Sequence, residues 1–107
     1  MKIKLLVLLL LSCLTTGVGA KTVREGDIYY YLNDNDKTAT VVGLDFYYYP
    51  ANLKIPPLVN HMEYAHIYTY TVTGIGSSAF KNKIWLETVT IPETVTDIGE
   101  DVFFGCI

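Results

Sequence analysis

Thr71-Val72-Thr73-Gly74-Ile75-Gly76-Ser77-Ser78-Ala79-Phe80 returns 23 residues later as Thr94-Val95-Thr96-Asp97-Ile98-Gly99-Glu100-Asp101-Val102-Phe103. Residues 71–84 against 94–107 give seven identities in fourteen: Thr71/Thr94, Val72/Val95, Thr73/Thr96, Ile75/Ile98, Gly76/Gly99, Phe80/Phe103 and Ile84/Ile107. A fixed period of this size marks a stacked solenoid, in which each unit buries its apolar face against its neighbours. Such a chain presents a surface that binds rather than a pocket that does chemistry.

Within the repeat, Leu86, Val89 and Ile91 read as inward positions of a strand that Pro92 ends. Gly76 and Gly99 suit a backbone turn that a larger residue would strain. Phe80 and Phe103 are expected to point inward from short helical turns. Leu53-Lys54-Ile55-Pro56-Pro57-Leu58-Val59 resembles Val89-Thr90-Ile91-Pro92-Glu93-Thr94-Val95 and reads as a degenerate first copy, followed by an insertion over residues 60–70. In that insertion Tyr68, Tyr70 and Val72 alternate onto one strand face.

The segment before the repeats is rich in tyrosine. Ile28-Tyr29-Tyr30-Tyr31-Leu32 and Thr38-Ala39-Thr40-Val41-Val42 have the aromatic and β-branched content of strands. Asn33-Asp34-Asn35-Asp36 between them is a turn, because Asn and Asp side chains bond the local backbone. Phe46-Tyr47-Tyr48-Tyr49 is expected to be extended, ending at Pro50. All nine tyrosines lie between Tyr29 and Tyr70. In each triplet, strand alternation sends the middle tyrosine to the face opposite its neighbours.

The N-terminus reads as a targeting segment. Lys2 and Lys4 precede an apolar run from Leu5 to Leu14, then small residues up to Ala20. The run is shorter than the ~20 residues of a membrane span. Residues 1–20 are taken as a signal peptide cleaved after Ala20, so the protein is expected to be secreted or on the cell surface. Leu10-Leu11-Ser12-Cys13 offers the alternative of a lipid anchor at Cys13. Removal of 1–20 leaves six basic and eleven acidic residues, 6 − 11 = −5. That charge argues against nucleic acid and against an anionic membrane surface as partners. Membrane contact is thus expected only through the signal peptide or that lipid anchor. Cys106 alone would remain, with no intrachain disulfide, and reads as a small buried hydrophobe.

Candidate sites are few. His61 and His66 flank Glu63, but their five-residue spacing fits neither a helical zinc pair nor a Cys-paired element, so both are read as solvent-exposed. Asn33–Asp36 lacks the Gly and the distant Glu of a calcium loop. Gly74-Ile75-Gly76-Ser77-Ser78 is explained by the repeat, not by a phosphate. Nothing positions a Ser-His-Asp arrangement. No catalytic, cofactor or metal residue is assigned, no cofactor is implied and binding residues are not specified. Glu87, Glu93, Asp97, Glu100 and Asp101 are expected to face outward.

Thr88-Val89-Thr90-Ile91-Pro92-Glu93-Thr94-Val95-Thr96-Asp97-Ile98-Gly99-Glu100-Asp101-Val102-Phe103-Phe104-Gly105-Cys106 resembles the BspA-type leucine-rich repeat, and Val72–Phe80 carries the same pattern. Lys81-Asn82-Lys83 departs from that family's x-Gly-Cys ending. The resemblance covers residues 53–107 and implies a mainly β protein: a Tyr-rich N-terminal β cap over 21–52, then a leucine-rich-repeat solenoid with short helical turns. It implies an exported bacterial surface protein, not an enzyme, with protein partners such as host extracellular-matrix or other cell-surface proteins. The last copy stops mid-repeat, so the chain reads as a truncated piece of a longer protein. The alternative role is a structural cap of a longer array whose recognition or catalytic function lies beyond residue 107.

Overall fold

The computed structural model describes residues 20–106 and is mainly β, without a helix among the described residues. The expected signal peptide and Cys13 lie outside that range, apart from Ala20, which opens the first strand. The strands are β1 (Ala20–Glu25), β2 (Ile28–Asn33), β3 (Thr38–Leu44), β4 (Asn52–Lys54), β5 (Leu58–Glu63), β6 (His66–Ile75), β7 (Thr88–Thr90) and β8 (Asp97–Ile98).

Three antiparallel hairpins supply most of the sheet. β1 and β2 join through Gly26, whose φ of +68° is the left-handed turn that glycine adopts without strain. β2 and β3 join through the expected Asn/Asp turn, where the Asn35 amide donates to Asn33 Oδ1 at 2.9 Å. β5 and β6 join through Tyr64 and Ala65, both left-handed at φ 53° and 62°. Paired positive φ values match the twist of the flanking strands. The residues expected as an insertion, 60–70, make most of this hairpin.

The main sheet runs β1-β2-β3-β6-β5, with β8 also on β6. β3 and β6 are parallel, Thr38 opposite Thr71 and Val41 opposite Ile75, with a bulge after Ala39. β4 and β7 form a separate parallel pair, Leu53 opposite Val89. The sheet curls around Tyr30, Leu32, Val41, Tyr70 and Val72, and the core continues into the repeats through Leu53, Ile55, Ile75 and Phe80. All nine side chains are at most 2 % exposed. Each large apolar group so buried is worth about 1.5–3 kcal/mol.

The 23-residue period is visible in the backbone. Gly74 lies opposite Asp97 and Ile75 opposite Ile98. Further bonds run from Thr96 N to Thr73 O, Ser78 N to Glu100 O, Phe80 N to Val102 O and Asn82 N to Phe104 O, at 2.7–3.2 Å.

Four expectations are corrected. The segments after Gly76 and Gly99 are turns, not helical turns, because Ser78 (φ 61°), Asn82 (62°), Asp101 (56°) and Gly105 (82°) are left-handed and interrupt any right-handed helical run. Their positions repeat at the period: Ser78 with Asp101, Asn82 with Gly105. Asn82 therefore adopts the conformation of the glycine it replaces, which asparagine tolerates. Gly76 and Gly99 are not left-handed; a Cβ on Gly99 would lie 2.5 Å from Ser77 N, whereas one on Gly76 would meet Val41 O at 3.4 Å. Close approach explains Gly99, and Gly76 has ordinary room. Phe80 is fully buried with Phe103 at 5.9 Å between ring centroids, but Phe103 itself, at the last described coil, is 41 % exposed. Phe46–Tyr49 forms no strand; Asp45 captures it, its Oδ2 accepting from Tyr47 N and its carbonyl from Tyr48 N.

Candidate functional site

The outward face of the sheet is one candidate surface. Cross-strand register sets Thr22, Tyr31 and Thr40 side by side, then Thr38, Thr71 and Leu58. Arg24 lies opposite Tyr29, Asn60 opposite Thr69 and Met62 opposite Ile67. Tyr29, Tyr31, Val42, Leu58, Met62 and Ile67 are all exposed. Alternation has sent Tyr30 into the core between them. The face is built of hydroxyls, aromatic rings and aliphatic groups, and Arg24, held by Asp45 at 2.8 Å, is its charged residue. Exposed apolar surface with aromatics and few charges is the composition of interface centres.

The inward edges of the sheet are polar. Lys21 and Glu25 on β1 share a face with Val23, and His61 and Glu63 on β5 share one with Val59. The curl brings these strands together, and Lys21 pairs with Glu63 while His61 Nδ1 lies 2.6 Å from Glu25 Oε2. His61 is thus half-buried and paired, correcting the expectation that both histidines are free in solvent. His66 is exposed and stacks on Tyr68 at 4.4 Å, so the two rings do not converge. The described residues contain no group of three metal-ligating side chains.

At one end of the curl, the β2–β3 and β5–β6 turns enclose an open cleft of about 280 Å³ lined by Asp34, Lys37, Glu63, Tyr64, Tyr68 and Tyr70. Tyr70 donates its hydroxyl to Asp34 Oδ1 at 2.5 Å, and Lys21 approaches Asp34 Oδ2 at 3.8 Å. Lys37 Nζ lies 5.7 and 5.9 Å from the Tyr68 and Tyr70 ring centroids and donates to the Asp34 carbonyl. Burial first, then the bond to Asp34, pushes the Tyr70 phenol well above its ordinary pKa. The bond to Glu63 raises the Lys21 ammonium. The residue types of this cleft were in view in the sequence, but the two turns that assemble it are about thirty residues apart, and no local spacing signals the meeting.

The last described coil leaves an apolar groove of about 380 Å³ among Leu86, Glu87, Val89, Ile91, Phe103 and Cys106. Cys106 is half-buried, its thiol directed at Phe80 O at 3.1 Å. Glu87, Glu93, Asp97, Glu100 and Asp101 all face solvent, as expected.

Parallel coils stacked at a fixed residue period define a repeat protein of the solenoid class. Residues 59–107 match the model of the BspA type leucine rich repeat region (6 copies), and this part of the chain belongs to that repeat family. A leucine-rich repeat protein from Bacteroides capillosus is similar at TM-score 0.62 and 28% identity, over 79% of this chain and 59% of that one. A second, from Bacteroides ovatus, is similar at TM-score 0.56 and 26% identity, over 78% of this chain and 27% of that one. The chain thus spans less than two thirds of either structure's length. No curated protein matches the sequence.

Proposed function

We propose that this chain is an exported, non-enzymatic binding protein that engages other proteins, in an adhesive role at the bacterial surface, through the outward face of its sheet. The observation that carries this is the composition of that face: exposed Tyr29, Tyr31, Leu58, Met62 and Ile67 with a single charge, on a chain whose net charge is −3. Membership of a leucine-rich repeat family supports protein–protein interaction as its mode. Export rests on residues 1–20, with Cys13 as the alternative anchor. Host extracellular-matrix and cell-surface proteins are the partner class. The test is binding of the chain to a panel of immobilised extracellular-matrix proteins and to intact cells, with Tyr31→Lys and Ile67→Lys variants beside it. Both variants should keep the β-sheet circular-dichroism signal and lose binding. Binding that survives both substitutions assigns recognition elsewhere and ends this reading.

A second reading is favoured by the register of β3 on β6. β3 occupies the position of a preceding coil, so the Tyr-rich segment 21–52 serves as an N-terminal cap that seeds the array over 53–107. Fusion of residues 1–52 ahead of an unrelated BspA-type array lacking its own first coils should raise that array's melting temperature. No change would dismiss the cap.

A further inference from the structure

We infer that the cleft between the β2–β3 and β5–β6 turns is a carbohydrate subsite that takes one neutral hexopyranose ring. This goes beyond the protein-binding reading and concerns a different surface. The argument begins with charge. The carboxylates of Asp34 and Glu63 are balanced by the ammonium groups of Lys21 and Lys37, all in or beside the cleft. A cation entering would meet the two lysines, and an anion the two carboxylates. A neutral ligand is therefore favoured on both counts.

The second element is the mixture of hydrogen-bonding types. Lys37 Nζ gives one bond, to the Asp34 carbonyl, and an ammonium carries three donors. Glu63, which lines the cleft, takes Lys21 on Oε1, and a carboxylate has further acceptor capacity on its second oxygen. The phenols of Tyr64 and Tyr68 each donate and accept. A ligand whose groups also both donate and accept pairs with every one of these. A polyol does so, whereas an apolar ligand would leave them unpaired at a cost in desolvation.

The third element is the aromatic lining. Tyr64 is 94 % exposed at the tip of its turn, held by left-handed backbone, and Tyr68 and Tyr70 line the same cleft. A pyranose ring offers a flat face of C–H groups and a rim of hydroxyls. It covers a tyrosine ring with the first and reaches Asp34, Lys37 and Glu63 with the second. Sites at the open ends of curled sheets, with apolar walls and a few convergent polar groups, are typical of small-ligand binding.

The test is titration of the ¹⁵N-labelled full chain with methyl glycosides of glucose, galactose, mannose, fucose and N-acetylglucosamine, read by amide chemical shifts. The expected result is that at least one glycoside shifts the amides of 34–37 and 63–70. Tyr64→Asn keeps the left-handed turn, removes the ring and should weaken that binding about tenfold, the size of one aromatic contact. Tyr31→Ala on the outward face should leave it unchanged. Comparison of the active glycoside with its trisaccharide distinguishes an end residue from an internal one, and either supports the site. The inference is overturned if none of the glycosides moves these amides at high millimolar concentration, or if the shifts fall on the Tyr29/Tyr31 face. It is also overturned if arginine methyl ester moves the same amides more strongly than any sugar, or if Tyr64→Asn binds as the parent does.

Discussion

Glu25 and His61 lie 2.6 Å apart, Oε2 to Nδ1, although 36 residues separate them and their strands are not neighbours in the hydrogen-bond ladder. With the Lys21–Glu63 pair they fill the gap where the first and last strands of the curled sheet meet. Inward-pointing charge on an edge strand deters addition of a foreign strand. Both pairs are partly exposed, so their net contribution is small and lies in specificity. A double-mutant cycle of Lys21→Met with Glu63→Gln should give a coupling below about 1 kcal/mol that vanishes in 1 M salt. In the same variants the β1 and β5 amides should exchange with deuterium faster than those of β2, β3 and β6. Uniform exchange across the sheet would show that the edges are held by something else.

Alkali should unfold the protein earlier than acid chemistry alone would suggest. Burial pushes the Tyr30 phenol up to about 12, and Tyr70 moves in the same direction. The folded state then holds protons that the unfolded state releases. The stabilisation from Tyr30 is complete below the ordinary tyrosine pKa of about 10 and is lost as pH rises through about 12, and that from Tyr70 is lost in the same direction. Lys21, raised by Glu63, adds a contribution of the same sign. Urea midpoints measured between neutral and strongly alkaline pH should fall, and Tyr30→Phe and Tyr70→Phe should each flatten the fall. A slope unchanged in both variants would place the titrating groups elsewhere.

Gly99→Ala should destabilise the chain by about 1–3 kcal/mol, the usual cost of overpacking, because the new Cβ would sit 2.5 Å from Ser77 N and 2.7 Å from Ser77 Cα. Gly76→Ala, its counterpart one period earlier, should cost less, since its nearest contact is 3.4 Å. Equal midpoints for the two would refute the close-approach explanation.

Phe80 and Phe103 hold equivalent places in consecutive repeats but not equivalent environments. Phe80→Ala should cost about 3–5 kcal/mol, as deletion of a buried ring does, and Phe103→Ala clearly less, given its 41 % exposure. The exposed Ile98, Phe103 and Phe104 should also drive self-association. Sedimentation velocity should show a concentration-dependent larger species that Phe104→Glu reduces.

The repeat was legible because its apolar spacing and its stacking are the same fact. Inward positions recur every 23 residues, and so do the backbone bonds. The Asn33–Asp36 turn and the opposite facing of Tyr30 from Tyr29 and Tyr31 were legible for similarly local reasons, whereas which of them is buried was not. β1 was not, since two of its three inward residues, Lys21 and Glu25 on either side of Val23, carry charge and erase the alternation that announces a strand. The extended reading of Phe46–Tyr49 failed because residue preference gave way to a side-chain bond from Asp45. Helical turns were expected where left-handed residues recur instead; Gly105 advertises that geometry most strongly, Asn82 and Asp101 only weakly and Ser78 not at all. The seam and the cleft depend on curvature, which no local pattern encodes.

On the proposed capping role, the pairing of β3 with β6 makes the N-terminal hairpin the phase reference of the array. Strand side chains alternate faces, so a slip of one residue at Thr38–Thr71 would turn Val72 outward and Thr71 inward. β8 takes its own alignment from Gly74 and Ile75 on the same strand. Each coil thus inherits its handed placement from the one before, back to a strand that is not itself a repeat. An error in that first alignment would be copied forward rather than diluted.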